Sequence, residues 1–202
     1  MSDTSSPVQP DSIGETTARL CQKATEYGAG SPDPKERLRA IQFFAEANCS
    51  HWTLAELLRE LPRRICELMR RDFATILLLT EDRGHVVALG SCGLEEEVER
   101  HVLVPVGSGI AGRIAQSGVP IILDELLDIL PVSPVLRERV WSLIGVPLLA
   151  GGRVIGVIQV GTFVPCRFTE GDLGLLLVVA DLAASAIDRA SARDGARIRQ
   201  LA

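Results

Sequence analysis

The sequence predicts an α+β fold, in which helices flank one antiparallel sheet of about five to six strands. Two amphipathic helical patterns stand far apart in the chain, at residues 53–69 and 170–189. Two pairs of short segments rich in β-branched residues, at 73–92 and 141–162, predict β-hairpins. A glycine-rich stretch at 103–124 separates the hairpins. We expect the N- and C-terminal helices to pack on one face of the sheet.

The composition excludes several classes of function. Of the 202 residues, 47% are hydrophobic, which suits one core, and the net charge of −5 gives no basic surface for nucleic acid. No apolar run reaches the ~18 residues of a membrane span, and the N-terminus lacks the pattern of a signal peptide. We therefore expect a soluble cytoplasmic protein with no membrane and no nucleic-acid partner. The five cysteines are scattered without a CxxC pair, which argues against a metal site and against a disulfide framework.

Composition shifts divide the chain into four parts. Residues 1–32, rich in Ser, Thr, Pro and Gly, predict a flexible leader. Residues 33–52 predict a helix and a linker, with Asp33 as N-cap, Pro34 at the first helical position and the helix ending near Cys49. The folded domain is predicted at 53–190, and residues 191–202 predict a helical or frayed tail.

The first helix of the domain has a capping box. Thr53 stands three residues before Glu56, ahead of apolar residues at helical spacing. Pro62 removes a backbone donor inside this helix and favours a kink. Arginines lie on the polar face between glutamates, so a solvated surface with intrahelical ion pairs is favoured over docking of an acidic partner.

The two hairpins differ in one respect. Residues 73–80 and 85–92 flank a tight polar turn, whereas residues 141–149 and 153–162 flank Ala150-Gly151-Gly152. Pro147 confines its arm to a sheet edge or to a ladder position where no donor is needed.

Between the hairpins, residues 94–100 predict a short helix or turn, and residues 124–139 predict an irregular stretch with two short helical pieces. Thr169 is predicted to cap the last helix.

The stretch at 103–124 is the most distinctive part of the chain. Its glycines Gly107, Gly109 and Gly112 permit close backbone approach, so the spacing predicts a concavity packed against the sheet. It is not a dinucleotide fingerprint, because neither a preceding parallel strand nor a long following helix is predicted.

Taken together, four segments in order resemble a GAF domain, a sensory module related to PAS domains. They are ATILLL at 74–79, VPVGSGIAGR at 104–113, IGVPLLAGGRVIGV at 144–157 and FTEGDL at 168–173. The resemblance covers residues 53–189 and implies a pocket for a small molecule between the sheet and the short helices. It places nine residues in the pocket walls: Ser91, Gly93, Ile110, Arg113, Ile114, Ile122, Asp124, Val146 and Ile158.

Specialised members of the family fit this sequence less well. Free methionine-R-sulfoxide reductases use cysteines in the glycine-rich segment and the loop after it, whereas this chain has Ala111 and no cysteine at 124–140. The cyclic-nucleotide signature near the last helix is replaced by Pro165-Cys-Arg-Phe168. Placement of His51, His85 and His101 does not favour haem, and Cys92 is interpreted as a small thiol rather than a redox or tetrapyrrole anchor.

Two interpretations follow. The first is a non-enzymatic sensory module that binds a small molecule of unknown identity and signals through terminal helices that pair in a homodimer, with a further signalling protein as partner. The second is an interaction domain without a ligand, its pocket collapsed around Ile110, Ile114 and Ile122. Arg113 either pairs with an anionic ligand or forms a salt bridge with Asp124 or Glu125; the alternative role of Asp124 is an N-cap. We find no catalytic constellation.

Overall fold

A computed structural model describes residues 52–124 and 131–194, together with Lys35, Leu38 and Gln42. These last three are helical, within the helix predicted after Pro34. The ends of that helix, the predicted leader, the linker up to His51 and the tail beyond Asp194 lie outside the described residues. None of the helices in the described part is long and apolar enough to cross a membrane.

The described elements follow the predicted order, with one further short strand at Leu103–Pro105 that was not predicted. Helix α1 spans Leu54–Met69, followed by β1 at Phe73–Leu79 and β2 at His85–Cys92. Three short elements come next: α2 at Glu95–Glu99, β3 at Leu103–Pro105 and α3 at Gly109–Ser117. Then come β4 at Ile121–Leu123, α4 at Pro134–Arg139, β5 at Ser142–Ala150, β6 at Arg153–Thr162 and α5 at Glu170–Asp194.

All six of these strands form one antiparallel sheet in the order β3-β2-β1-β6-β5-β4. The two hairpins meet at the centre, where β1 pairs with β6. Strand β4 pairs with β5 only between Leu143 and Gly145, so Pro147 lies beyond the ladder on that side. The α+β prediction with terminal helices on one face is therefore confirmed.

The sheet separates two hydrophobic layers. One layer contains α1 and α5 with the strand residues Ile76, Val146 and Ile158. The other contains α3 and α4 and is built on Leu77, Leu143 and Val157. Alternate residues of each central strand therefore serve opposite layers, as the period of two in a β-strand requires.

Capping boxes begin both terminal helices; the sequence predicts the first of them and, for the second, the N-cap Thr169. Thr53 accepts from the Glu56 amide while the Glu56 carboxylate accepts from the Thr53 amide. Thr169 and Asp172 repeat this arrangement at the start of α5. Helix α1 continues through Pro62 as one element. Gly90 packs against the carbonyl of Leu58, the group whose helical donor Pro62 lacks, and a Cβ at Gly90 would lie 2.0 Å from that oxygen.

Candidate functional site

A small cavity lies between the sheet and the short helices. Its volume is about 10 Å³, close to the space that one water molecule needs. Most of its walls are apolar and come from β1, β3, α3, the segment leading into α4 and α4 itself: Leu77, Val104, Ile110, Ala111, Pro131, Val132 and Leu136. Three polar side chains complete it, namely Glu97 from α2, Ser133 before α4 and Gln159 from β6.

The glycine-rich stretch forms part of this wall through backbone contact. A Cβ at Gly112 would lie 2.1 Å from the carbonyl oxygen of Pro105, so α3 lies directly against the end of β3. Gly109 has φ 56° and faces Val132 of the cavity wall. The glycines thus let α3 approach both β3 and the segment before α4, as a concave backbone surface requires.

Glu97 and Ser133 connect two helices over the cavity. Both side chains are about 1% exposed, and the Ser133 hydroxyl donates to the Glu97 carboxyl group. The same hydroxyl oxygen accepts from the amide of Leu136 at 3.3 Å and so caps α4. Burial raises the pKa of Glu97 above its usual range, opposed by the hydrogen bond from Ser133 and by Arg100. Burial therefore disfavours the ionised form of this carboxyl group relative to an exposed one.

Gln159 is the unusual group in the cavity. Its side chain is 1% exposed, and its amide nitrogen has no hydrogen-bond partner among the described residues. The residue directly opposite on β1, Thr75, lies on the same face of the sheet and is bonded to Ser91 at 2.9 Å. A buried amide donor without a partner is uncommon, because its desolvation is not compensated.

The predicted pocket residues lie in different parts of the structure, and four of them lie on or next to the face of the sheet that carries the cavity. Ile110 lines the cavity, and Ile114 is fully buried in the same layer, where it packs over Gly145. Ser91 lies on this face but bonds to Thr75 rather than lining the cavity. Gly93 lies at the end of β2, against the carbonyl of Asp72.

Val146 and Ile158 belong to the opposite layer, with α1 and α5. Ile122 pairs with Ile144 of that same face and is 36% exposed. The prediction that these three residues face the cavity is therefore wrong by one position of strand register. Their sequence neighbours Gly145 and Gln159 face the short helices instead.

The two charged candidates also lie outside the cavity. Arg113 is exposed on α3, and the predicted ion pair with Asp124 is not formed. Asp124 instead bonds to the amide of Phe168 and to the guanidinium of Arg167, both at 3.3 Å. It therefore holds the segment before α5; the residues after it, including Glu125, lie outside the described part. The helix that Asp124 was predicted to cap also lies outside the described part.

Sequence reasoning missed Glu97, Ser133 and Gln159. Gln159 carried a signal, since it is a polar residue within the buried run Val157–Val160 of β6. Ser133 also carried one, since it precedes Pro134 as an N-cap precedes the first helical position. Glu97 carried none, because a glutamate within an acidic run is expected at the surface, where its neighbours indeed lie at least partly exposed.

Other kinds of site find no support in the described part of the chain. It holds no group of three or more His, Cys, Asp or Glu side chains placed to bind a metal ion. Its three cysteines, Cys66, Cys92 and Cys166, are free, and position 111 in the cavity wall is alanine. The thiols that the reductase chemistry needs are thus absent from the described cavity wall.

Comparison with known proteins agrees with this architecture. The chain is 29% identical over 143 residues to the Nif-specific regulatory protein of Azospirillum lipoferum, covering 64% of this chain and 22% of the relative. The chain thus spans about a fifth of the length of that regulator. The GAF domain of an Acinetobacter phosphoenolpyruvate-protein phosphotransferase is similar, with 25% identity, a TM-score of 0.65 and coverage of 78% of this chain and 93% of that one.

A second solved structure shows the same fold. The GAF domain of the phosphoenolpyruvate-protein phosphotransferase from Coxiella burnetii has 20% identity and a TM-score of 0.68, over 81% of this chain and 99% of that one. The family model described as "GAF domain" matches residues 52–188, which is more than half of the chain. The chain belongs to the GAF domain family, and its relatives are regulatory proteins.

Proposed function

We propose that this chain is the non-enzymatic sensory module of a regulatory protein, and that it binds a small polar molecule in the cavity under α2 and α4. The observation that carries the proposal is the Gln159 side chain, which is 1% exposed, lines the cavity between the sheet and the short helices, and has an amide nitrogen without a hydrogen-bond partner among the described residues. A ligand carbonyl or ring nitrogen would supply the acceptor that this amide lacks.

The other polar groups narrow the chemistry of the ligand. The described residues that line the cavity include no basic side chain, whereas Glu97 is acidic and buried. An anion placed there would meet no positive charge and would be costly to desolvate. We therefore expect a neutral or cationic molecule with an acceptor for Gln159 and an N–H donor for Glu97.

Binding requires the cavity to enlarge, since about 10 Å³ holds no molecule larger than water. The wall most suited to move is the one formed by Pro131, Val132 and Ser133, which is joined to α2 through the bond between Ser133 and Glu97. A ligand that takes over the Glu97 carboxyl group would release this bond. The short helix α4 would then shift with its N-cap.

The sheet connects this event to the terminal helices. Gln159 lies between Ile158 and Val160, whose side chains enter the layer of α1 and α5. Arg71, just after α1, pairs with Asp172 of α5 at 2.7 Å, and Arg193 of α5 donates to the carbonyl of Trp52, just before α1, at 2.7 Å. Both ends of α1 are thereby joined to α5. We infer that these helices carry the output, by pairing in a homodimer or by contact with a signalling partner.

A thermal-shift screen of the full chain tests ligand binding. The probes are carboxamides and their matched carboxylates, such as nicotinamide and nicotinate, together with cyclic nucleotides, amino acids and haem. A ligand at 100 times its Kd stabilises the folded state by about 2.7 kcal/mol. A rise in Tm with an amide but not with its carboxylate is the expected result, and a rise with anions alone would contradict the assigned ligand class.

The small cavity also favours a second candidate, an interaction domain that binds no ligand. Ile110 and Ile114 are 2% and 0% exposed, and they fill the space over the sheet. A screen without any shift in Tm, combined with a dimer or a captured partner that depends on α1 or α5, would support this candidate over the sensor. A cytoplasmic location is expected for either.

A further inference from the structure

Two cysteines meet where α1 packs on β2, on the face of the sheet opposite the cavity. The Cys66 sulfur of α1 lies 4.0 Å from the carbonyl oxygen of Cys92 at the end of β2. Both side chains belong to the layer of α1 and α5, in which Cys66 is buried and Cys92 packs at its edge. Cys66 is 8% exposed, and Cys92 is half-buried.

The geometry of the packed helix and strand explains why they meet. One contact is fixed by Gly90, whose Cα lies against the Leu58 carbonyl and Pro62 of α1. From Gly90 to Cys92 the strand advances about 6.6 Å and keeps the same face. From Pro62 to Cys66 the helix advances about 6.0 Å along one face. The similar steps bring the two cysteines near each other one helical turn beyond the glycine contact.

We propose that Cys66 and Cys92 form a dithiol that low-molecular-weight disulfides convert into an intramolecular disulfide between α1 and β2. The half-buried Cys92 is the thiol that reacts first, because it is the accessible member of the pair. Cys66 is the resolving thiol, since its sulfur lies beside the backbone of Cys92.

The reaction balances as two exchanges. The Cys92 thiolate attacks the small disulfide, and one of its thiolates leaves, so that a mixed disulfide forms on Cys92. The Cys66 sulfur then displaces the second small thiolate, and the proton of Cys66 passes to that leaving group. Two protein thiols are oxidised while one disulfide is reduced to two thiols.

The surroundings of Cys66 explain why the second step depends on contact. Burial and the neighbouring Cys92 raise the pKa of the Cys66 thiol, and the carboxylates of Glu95 and Asp72 act in the same direction. Cys66 is therefore inert toward reagents in solution, and it reacts only with a sulfur already placed beside it. Cys166, half-buried near α5, has no such neighbour among the described cysteines and serves as an internal control.

The cysteine pair would respond to a redox signal, which is separate from the ligand proposed for the cavity. A bond from Cys66 to Cys92 would fix α1, one of the two terminal helices, to the sheet and would prevent any sliding of that helix. It would also close a loop between residues 66 and 92, which restricts the unfolded chain and raises Tm.

The test is incubation of the full chain with mixtures of reduced and oxidised glutathione, followed by alkylation of free thiols and peptide mass spectrometry. We expect a peptide linked through Cys66 and Cys92, a raised Tm that reductant reverses, and Cys166 present only as a glutathione adduct. In Cys66→Ala, Cys92 should end as a glutathione adduct and the rise in Tm should vanish.

The variant Cys92→Ala keeps the test decisive if Cys66→Ala folds poorly. Cys66 should then stay a free thiol at every glutathione ratio, because its partner is gone. A wild-type chain in which Cys92 remains a glutathione adduct or stays unmodified at high oxidised glutathione would overturn the proposal. So would a Cys66 adduct formed in Cys92→Ala.

Discussion

Replacing Gln159 by methionine should stabilise the protein, although it removes a polar group from the centre of the sheet. The Gln159 amide nitrogen is buried without a partner, and such a group costs about 1–3 kcal/mol in desolvation. Methionine keeps the unbranched shape and adds no donor. After allowance for imperfect packing, we expect a gain of about 1–2 kcal/mol in the free energy of unfolding.

Thr75→Val is the matched control, because Thr75 lies directly opposite Gln159 on the same face and is equally buried. Its hydroxyl is bonded to Ser91 at 2.9 Å, so its removal should cost about 0.5–1.5 kcal/mol. The two substitutions each replace one polar side chain by an apolar one, yet they should move stability in opposite directions.

Urea unfolding of the full chain measures both effects, with an unchanged m-value as evidence that the unfolded state is comparable. Gln159→Met should also lose any rise in Tm given by an amide ligand, since the variant cannot donate. If Gln159→Met instead lowers the free energy of unfolding by about 1 kcal/mol or more, the amide is a structural group. The argument for a ligand acceptor at this position is then refuted.

Three further predictions concern the same layers. The free energy of unfolding of the wild type should fall as pH rises from about 4.5 through the raised pKa of Glu97, because the folded state favours the neutral carboxyl group more than the unfolded state does. Urea titrations at a series of pH values should show a flatter dependence of this free energy on pH for Glu97→Gln. Gly90→Ala should lower the free energy of unfolding by about 1–3 kcal/mol or more, since its Cβ would lie 2.0 Å from the Leu58 oxygen. Gly84→Ala meets only the exposed Asp82 carboxylate, at 3.2 Å, and should change the free energy of unfolding in chemical denaturation by under ~0.5 kcal/mol. Arg113→Ala should leave both stability and any ligand-induced shift in Tm unchanged, because its side chain is exposed; a lost shift in calorimetry would return Arg113 to the site.

The fold was predictable because its signals are local. The capping boxes at Thr53 and Thr169 fix where the terminal helices begin, and both are formed. The turn at Gly151 and Gly152 joins β5 to β6, as predicted from the flanking β-branched segments. Such features depend on residues within a few positions of each other, so the sequence contains all the information needed to place them.

The facing of the central strands was not predictable in this way. Strands β1, β5 and β6 are buried on both faces, so their apolar runs lack the alternation that would show which side chain meets which layer. Val146 and Ile158 were placed in the pocket by family resemblance, and a shift of one residue moved them to the other face. Only the tertiary packing of α1 and α5 decides between the two possibilities.

The polar trio was missed for a related reason. Glu97 and Ser133 are 36 positions apart, and each looks like an ordinary surface or cap residue until α2 and α4 are brought together. Gln159 could have been found, since burying a glutamine in an otherwise apolar strand has a desolvation cost that an apolar residue would avoid. For the proposed ligand site, a single unpaired polar residue in a strand buried on both faces is thus a more direct indicator than the glycine-rich stretch. Those glycines explain how closely the cavity wall approaches the sheet, whereas Gln159 is the group that the proposed ligand would satisfy.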